Sequence, residues 1–468
     1  MNAHRGHHPS PPFDAALSAQ AFHETWLATV DPTGVGQWFR RQRLDRLIAT
    51  ATRDSPLYAR RARSARVIDD FEPIGKHELM DHFDDWAVDR RITRAGVEAF
   101  IGGGDTIADG WLERYLIWTS SGTSGQPGVF VQDAASLAAY DAIEALRLRS
   151  TGPAGPPLGL WAAGRRFAYV GAVGGAYAGH VSVARLQRIA PPGWAPTLCE
   201  ISVLDPLDEI EARLRAWGPD VLITYPTLAA SLAGRTVNDR RPLRFGEVWL
   251  GGEQLSPTQR AFIGDAFGCV VRNSYGASEF YSIAFECRYG RLHLNDDWVI
   301  LEPVDADHRP VPVGAFSHAT LLTNLANRTQ PLIRYTLQDC TRFVPEPCPC
   351  GSGLAVIEVQ GRSDDALVLA GRDGGTVTLL PLAIETVVEE AGGITEFQLI
   401  RRPDGSLELR LSLQGDAARQ AFDRCRRALL GWFARQDVRT PRLVHGHGGP
   451  LRAPGSGKLR RVIDDRAR

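Results

Sequence analysis

Residues 221–225 read VLITY, residues 247–252 read EVWLGG and residues 269–275 read CVVRNSY; between them lie two helix-length stretches, the second around 257–267. Each apolar run has the length of a strand and is too continuous to alternate, which is the pattern of a strand buried on both faces. Strands of that kind joined by helices build a parallel sheet with helices packed over it, so the expected class is α/β with doubly wound, mostly parallel sheets. The same rhythm reaches back through YLIWT at 115–119, a helix with Leu137, Tyr140, Ile143 and Leu146 on one face, LGLWAA at 158–163, and a helix carrying Leu207, Ile210 and Leu214.

Outside this stretch the pattern changes twice. Residues 1–100 are Arg-rich and helix-leaning, with breaks at Pro11, Pro12 and Pro73, and read as a helical wrap on the first domain. Beyond 361 a helix near 381–391, a strand at 395–402, a strand alternating Leu407, Leu409, Leu411 and Leu413, and a helix at 416–436 make a compact α+β unit. The polar segment GRSDD at 361–365 lies between the two. The expected organisation is a large N-terminal domain over 1–360 and a small C-terminal lid over 361–468, hinged near Asp364.

The bulk properties exclude several classes of function. A formal net charge of -1 over 468 residues, with 23% charged and 44% hydrophobic residues, points to neither nucleic acid nor an anionic membrane as partner. No apolar run reaches the ~18 residues of a bilayer span, and the first thirty residues hold no signal-type apolar core; the expected location is cytoplasmic. Seven cysteines, an odd number spread over a long chain, argue against a disulfide framework. Of 53 basic residues only Lys76 and Lys458 are lysine, so each marks a place where a compact, rotatable ammonium is needed.

The segment SSGTSGQPG, Ser120 to Gly128, follows YLIWT directly. Glycines there permit tight turns, and hydroxyls and backbone N–H groups can close on phosphate oxygens; the other reading is a surface turn. No GxxxxGK[ST] loop occurs, because Arg452 rather than Gly precedes Gly457-Lys458 by five. A second set, Cys287 and His293 with Cys348 and Cys350, has the ligand types of a closed structural Zn²⁺ site, buried free thiols being the alternative. Cys199, Cys269, Cys340 and Cys425 read as plain core.

Five further segments follow the Ser120 loop in order: Gly251-Gly252-Glu253, Tyr275-Gly276-Ala277-Ser278-Glu279, Arg334-Tyr335-Thr336-Leu337-Gln338-Asp339, Gly361-Arg362-Ser363-Asp364-Asp365 and Gly457-Lys458-Leu459-Arg460-Arg461. Together they resemble the signatures of the adenylate-forming superfamily, specifically its phenylacetate-CoA-ligase-like branch, over residues 70 to 465; even Glu72-Pro73-Ile74-Gly75-Lys76 is similar to a segment of that branch. The resemblance implies a nucleotide site of Ser120, Ser121, Gly122, Thr123, Ser124, Gly125, Gly252, Glu253, Tyr275, Gly276, Ala277 and Ser278. Within it Tyr275 lies against adenine, Glu279 holds Mg²⁺, Asp339 accepts from the ribose hydroxyls with Arg362 nearby, Asp364 is the hinge and Lys458 neutralises the reacting anions. Some relatives in this branch carry zinc at the Cys/His set. In this fold Phe167, Tyr169, Tyr225, Trp249 and Tyr281 would line the acid pocket, core packing being the other reading of each ring.

Two departures stand out. Gln126 replaces a lysine frequent in the family's loop, and ALVLAGRDGGTVTLLPLAIE at 366–385 departs from the segment that admits a pantetheine arm. The expected function is an ATP- and Mg²⁺-dependent, AMP-forming ligase that adenylates a small aromatic acid and passes the acyl group to CoA or a carrier-protein thiol, with a homodimer as one assembly. The alternatives are a diazotase-type enzyme activating nitrite toward an aromatic amine and a non-catalytic adenylate-binding protein.

Overall fold

The computed structural model describes residues 9–103, 106–120, 127–148, 165–190, 197–237, 239–362, 366–379, 381–394, 396–453 and 458–465. Its main sheet has nine strands. Thr197–Ser202, Arg166–Gly171, Val221–Thr224, Glu247–Leu250 and Val270–Tyr275 run parallel; Ala284–Glu286, Leu292–Leu294, Val356–Arg362 and Asp339–Val344 extend the sheet antiparallel. The sheet is therefore mixed rather than mostly parallel along its whole width. The difference has a local cause: the loops from Tyr275 to Ala284, from Glu286 to Leu292 and from Val344 to Val356 carry no crossover helix, and without one the chain returns antiparallel. The stretch LGLWAA lies outside the described residues.

The parallel half is built as its sequence demands. Ile210 and Leu214 of the helix Leu207–Trp217, Leu228 and Leu232 of Pro226–Thr236, and Ile263 and Phe267 of Pro257–Phe267 all bury against Val170, Leu222, Val248 and Leu250. Ser256 caps the third helix by accepting from the Gln259 N–H, and Gly268, in the left-handed region at φ 63, ends it. The strands thus stop on the edge where GGE and YGASE begin, which is where α/β sheets bind ligands.

The N-terminal helices Ala15–Val30 and Gln37–Asp54 are fastened to this body by buried charge. Arg147, held by Asp297 Oδ1 at 2.7 Å, donates to Thr29 Oγ1 at 2.9 Å; Arg43, paired with Glu24 at 2.6 Å, donates to the Asp297 carbonyl at 2.7 Å and lies 3.3 Å over the Trp298 ring. Ile74, from the same region, forms a bridge with Tyr335, donating to Arg334 O at 3.1 Å and accepting from Thr336 at 2.9 Å. That bridge brings Lys76 to the large cavity.

The C-terminal elements have a core of their own. Leu367, Leu369, Ile384, Val388, Leu399, Leu409, Cys425, Leu429 and Phe433 cluster among a hairpin, the helices Pro381–Gly392 and Gly415–Arg435, and a four-stranded mixed sheet. Leu407, Leu409 and Leu411 face inward in the strand Leu407–Leu411, while Leu413 falls outside it and is exposed. Arg461 pairs with Glu385 and Glu389 within the unit, while Ser256 Oγ donates to Glu389 Oε2 at 2.5 Å and Arg452 bonds Thr227 Oγ1 at 3.2 Å, joining this unit to the body. No helix among the described residues is long and apolar enough to cross a membrane.

Candidate active site

A cavity of about 1350 Å³ opens at the carboxyl ends of the parallel strands, bounded on its far side by the C-terminal unit. Of the residues singled out in the sequence, Ser120, Gly252, Glu253, Tyr275, Gly276, Ala277, Ser278, Glu279, Asp339 and Lys458 line it, although they lie up to several hundred residues apart. Ser121, Gly122, Thr123, Ser124, Gly125, Gln126 and Asp364 lie outside the described residues. Arg362 pairs in register with Asp339 across two antiparallel strands, which sets its backbone beside that carboxylate.

Two hydrogen bonds organise one end. Tyr275 Oη donates to Asp339 Oδ2 at 2.5 Å, and Tyr335 Oη donates to Glu279 Oε1 at 2.7 Å. Each phenol holds a carboxylate in a fixed rotamer at the cavity wall, so both acids are oriented before any ligand arrives. Glu253 spans the two units: its carboxylate accepts from Thr227 N at 3.1 Å and from Leu459 N at 3.0 Å. That contact places Lys458 over the body, its Nζ 5.7 Å from the Tyr225 ring centroid.

Two glycines are sterically required here. Gly252 has φ 76, and a Cβ there would stand 3.1 Å from the Tyr225 ring and 3.4 Å from Lys458 Cε. A Cβ on Gly276 would sit 2.0 Å from the Tyr281 carbonyl oxygen, so only glycine lets the turn Tyr275–Tyr281 close. Trp118 Nε1 donates to Ser278 O at 2.8 Å and holds that turn from the other side.

The other end of the cavity is walled by tyrosines. Tyr169, Tyr225, Trp249 and Tyr281 line it, joined by Tyr177 from the start of the helix Ala178–Ile189. Gly171 and Gly179 leave the space the Tyr169 phenol fills, since a Cβ on either would stand 2.6 Å from its ring or hydroxyl. Phe167 does not reach the cavity: it is fully buried and packs 5.9 Å from Trp249 in a core cluster. Its strand neighbours point to opposite faces, and odd-numbered Phe167 lies too far back along the strand to reach the open edge. Burial pushes the Tyr225 hydroxyl up to about 12, so it is neutral.

Sequence reasoning missed three lining groups. Tyr335 stood inside a quoted motif without a role, Lys76 had only a family position, and Glu144 was unremarked among the apolar residues of its helix. The signal for Glu144 was its spacing, four residues after Tyr140 and seven after Leu137, which puts a carboxylate on a buried helical face.

Cys287, His293, Cys348 and Cys350 converge behind the antiparallel half, their ligand atoms all within 4.8 Å of one another. Cys287 and Cys348 Sγ are 3.6 Å apart, and Cys350 Sγ is 3.4 Å from His293 Nε2. The N–H groups of Tyr289 and Ser352 each lie 3.4 Å from a sulfur, Cys287 and Cys350 respectively. His293 Nδ1 lies 3.0 Å from the Leu354 carbonyl, a bond that puts the proton on Nδ1 and turns the Nε2 lone pair toward the thiols. Burial lowers the His293 pKa and favours that neutral ring. Three thiols and one imidazole at these separations are the donor set of a tetrahedral, soft-metal site.

No protein-family model matches the chain. It is 26% identical over 231 residues to the phenylacetate-coenzyme A ligase of Pseudomonas putida, covering 46% of this chain and 50% of that protein. It spans about half the length of the curated relatives it matches. Among solved structures, 2-hydroxyisobutyryl-CoA ligase in the postadenylation state in complex with R3-HIB-AMP superposes with TM-score 0.67 at 18% identity, over 94% of this chain and 91% of that one. The same ligase in the thioesterification state, in complex with 2-HIB-AMP and CoA, gives 0.54 at 19% identity, over 93% and 91%. The chain therefore has the fold of these ligases and, over about half its length, sequence similarity to phenylacetate-coenzyme A ligases.

Proposed function

We propose that the protein is an ATP-dependent, AMP-forming acid ligase that adenylates a small acid and then hands the acyl group to a thiol, with CoA as the acceptor. The observation that carries this reading is the convergence of Asp339, Glu279 and Lys458 on one cavity from three distant parts of the chain. Asp339, steadied by Tyr275, serves as the acceptor for ribose hydroxyls. Glu279, steadied by Tyr335, offers a hard carboxylate oxygen suited to Mg²⁺, which supplies charge neutralisation on the phosphates.

Lys458 stands where the acid and the α-phosphate must approach each other as like-charged groups. Its ammonium favours the transition state, in which the attacking oxygen and the leaving pyrophosphate share charge, over the separated reactants. The higher TM-score against the postadenylation state agrees with a C-terminal unit docked for the first half-reaction. The second half-reaction then needs that unit to turn about Asp364, breaking the Glu253–Leu459 contact and withdrawing Lys458. We assign the Cys/His cluster to structural Zn²⁺, held by Cys287, His293, Cys348 and Cys350.

The test is acid-dependent ATP–pyrophosphate exchange across a panel of small acids, followed by thioester detection with CoA. Exchange with at least one acid and a CoA thioester as product is expected. No exchange with any acid defeats the ligase assignment, and exchange without thioester defeats CoA as acceptor. Metal analysis of the purified protein, expected to give one zinc per chain in the wild type and none in Cys348→Ser, decides the cluster.

A further inference from the structure

Glu144, on the helix Ala134–Arg147, lines the tyrosine end of the cavity. Its Oε1 is enclosed and has no hydrogen-bond partner among the described residues. Arg185 holds Asp141 through both terminal nitrogens, at 2.8 and 3.0 Å, and its own Nε is likewise buried without a partner among the described residues. Burial first, and the charge of Asp141 second, push the Glu144 carboxyl up to about 8, with Arg185 opposing.

A buried acceptor without a partner costs about 1–3 kcal/mol and persists where something else repays it. Glu144 lines the space an acid substrate would enter. The phenols place it relative to the chemistry. Lys458 lies over Tyr225; Tyr169, Tyr225 and Tyr281 line the same cavity; the charge of Glu144 acts on the Tyr281 hydroxyl, which bonds Ser182. Glu144 therefore stands beyond a row of rings from the lysine assigned to the reacting carboxyl.

Resting on the ligase reading above, we infer that the acid taken by this pocket carries an amino group remote from its carboxyl, and that Glu144 is the residue that selects it. An amine supplies the N–H donor that Oε1 lacks and, by taking the proton of the Glu144 carboxyl, pairs with it as an ammonium against a carboxylate. The tyrosine faces around it favour the same group. A methyl group of equal size would leave the oxygen unpaired, and a site built to hydrogen-bond its substrate rejects such an analogue strongly.

The experiment uses the full-length protein and two sets of shape-matched acids, one aromatic and one straight-chain, whose far substituent is amino, hydroxyl or methyl. Binding is measured by calorimetry and turnover by ATP–pyrophosphate exchange. In at least one set the amino acid is expected to be favoured over the methyl acid by about 100-fold or more, and Glu144→Leu to reverse the order. If Glu144→Leu does not fold, Glu144→Gln, which keeps shape and loses charge, is expected to lower the preference at least tenfold. A preference for hydroxyl or methyl in the wild type, no binding of any acid, or an amino preference untouched by either variant overturns the proposal. Amino-selective binding without exchange supports the selectivity while defeating the ligase reading, so the two failures are distinct.

Discussion

The two ends of the cavity are finished to different degrees. At the end we propose for the nucleotide, each of three carboxylates is already held: Asp339 by Tyr275, Glu279 by Tyr335, Glu253 by two backbone N–H groups. At the acid end Glu144 Oε1 stands alone, and the Tyr169 phenol fills a gap that two glycines leave. A ligand common to every turnover can be met by a rigid, pre-paired frame, which costs no reorganisation during reaction. A ligand that must be chosen among similar acids is better met by an unsatisfied group, because the wrong acid then leaves it unsatisfied.

The sharpest way to break this contrast is at the point between the ends. Lys458→Ala is expected to lower the rate of adenylate formation by about 10³-fold or more, since one preorganised donor at developing charge contributes on the order of 10²–10³ and Lys458 serves both reactants. ATP binding, measured by calorimetry, should change little, because the Asp339 and Glu279 pairs do not depend on it. A variant that adenylates at the normal rate would remove Lys458 from the chemistry and make the nucleotide end self-sufficient.

The turn Tyr275–Tyr281 physically connects the two ends, and Gly276 is its tightest point. Gly276→Ala would drive a methyl into the Tyr281 carbonyl, a backbone atom that cannot swing aside. The expected cost is about 1–3 kcal/mol of stability, measured by denaturant unfolding, with weaker binding of both ATP and acid. Weakening of one ligand alone would show that the ends are built independently.

The ends also differ in how much of them the sequence discloses. GGE, YGASE and the Asp339 segment are local: turn glycines and polar residues at fixed spacing after a strand, so position along the chain implies position at the sheet edge. The βα rhythm of 221–275 discloses the parallel half for the same reason, and the Leu alternation at 407–411 discloses a strand. The acid end is non-local. Tyr169, Glu144, Tyr225 and Tyr281 come from four elements, and nothing in the neighbourhood of any one tells which aromatic side chains face the cavity and which the core. Phe167 and Tyr169 sit two apart on one strand and one face, yet one is core and the other wall, because the strand runs out into the cavity between them. The antiparallel half escaped because its strands are short and joined without crossover helices, so no apolar periodicity marks them.

The smallest expected effect tests the acid end without any ligand. With its folded-state pKa raised to about 8 against an ordinary value near 4.5, Glu144 keeps its proton in the native protein over a range where the unfolded chain has lost it. Between those values the unfolded state binds fewer protons, so this group's contribution makes stability fall as pH rises from about 4.5 to 8. Asp141, Arg185 and Tyr281 face it, and burial raises the Tyr281 hydroxyl so that it stays neutral. Glu144→Gln should flatten the decline by about 1–3 kcal/mol across that range in urea unfolding, the full linkage being reduced because the residue is partly open to the water-accessible cavity. An equal slope in the variant would mean that Glu144 is ionised and solvated in the native state. The acid end would then be as settled as the nucleotide end, and the contrast between them would lie in shape alone.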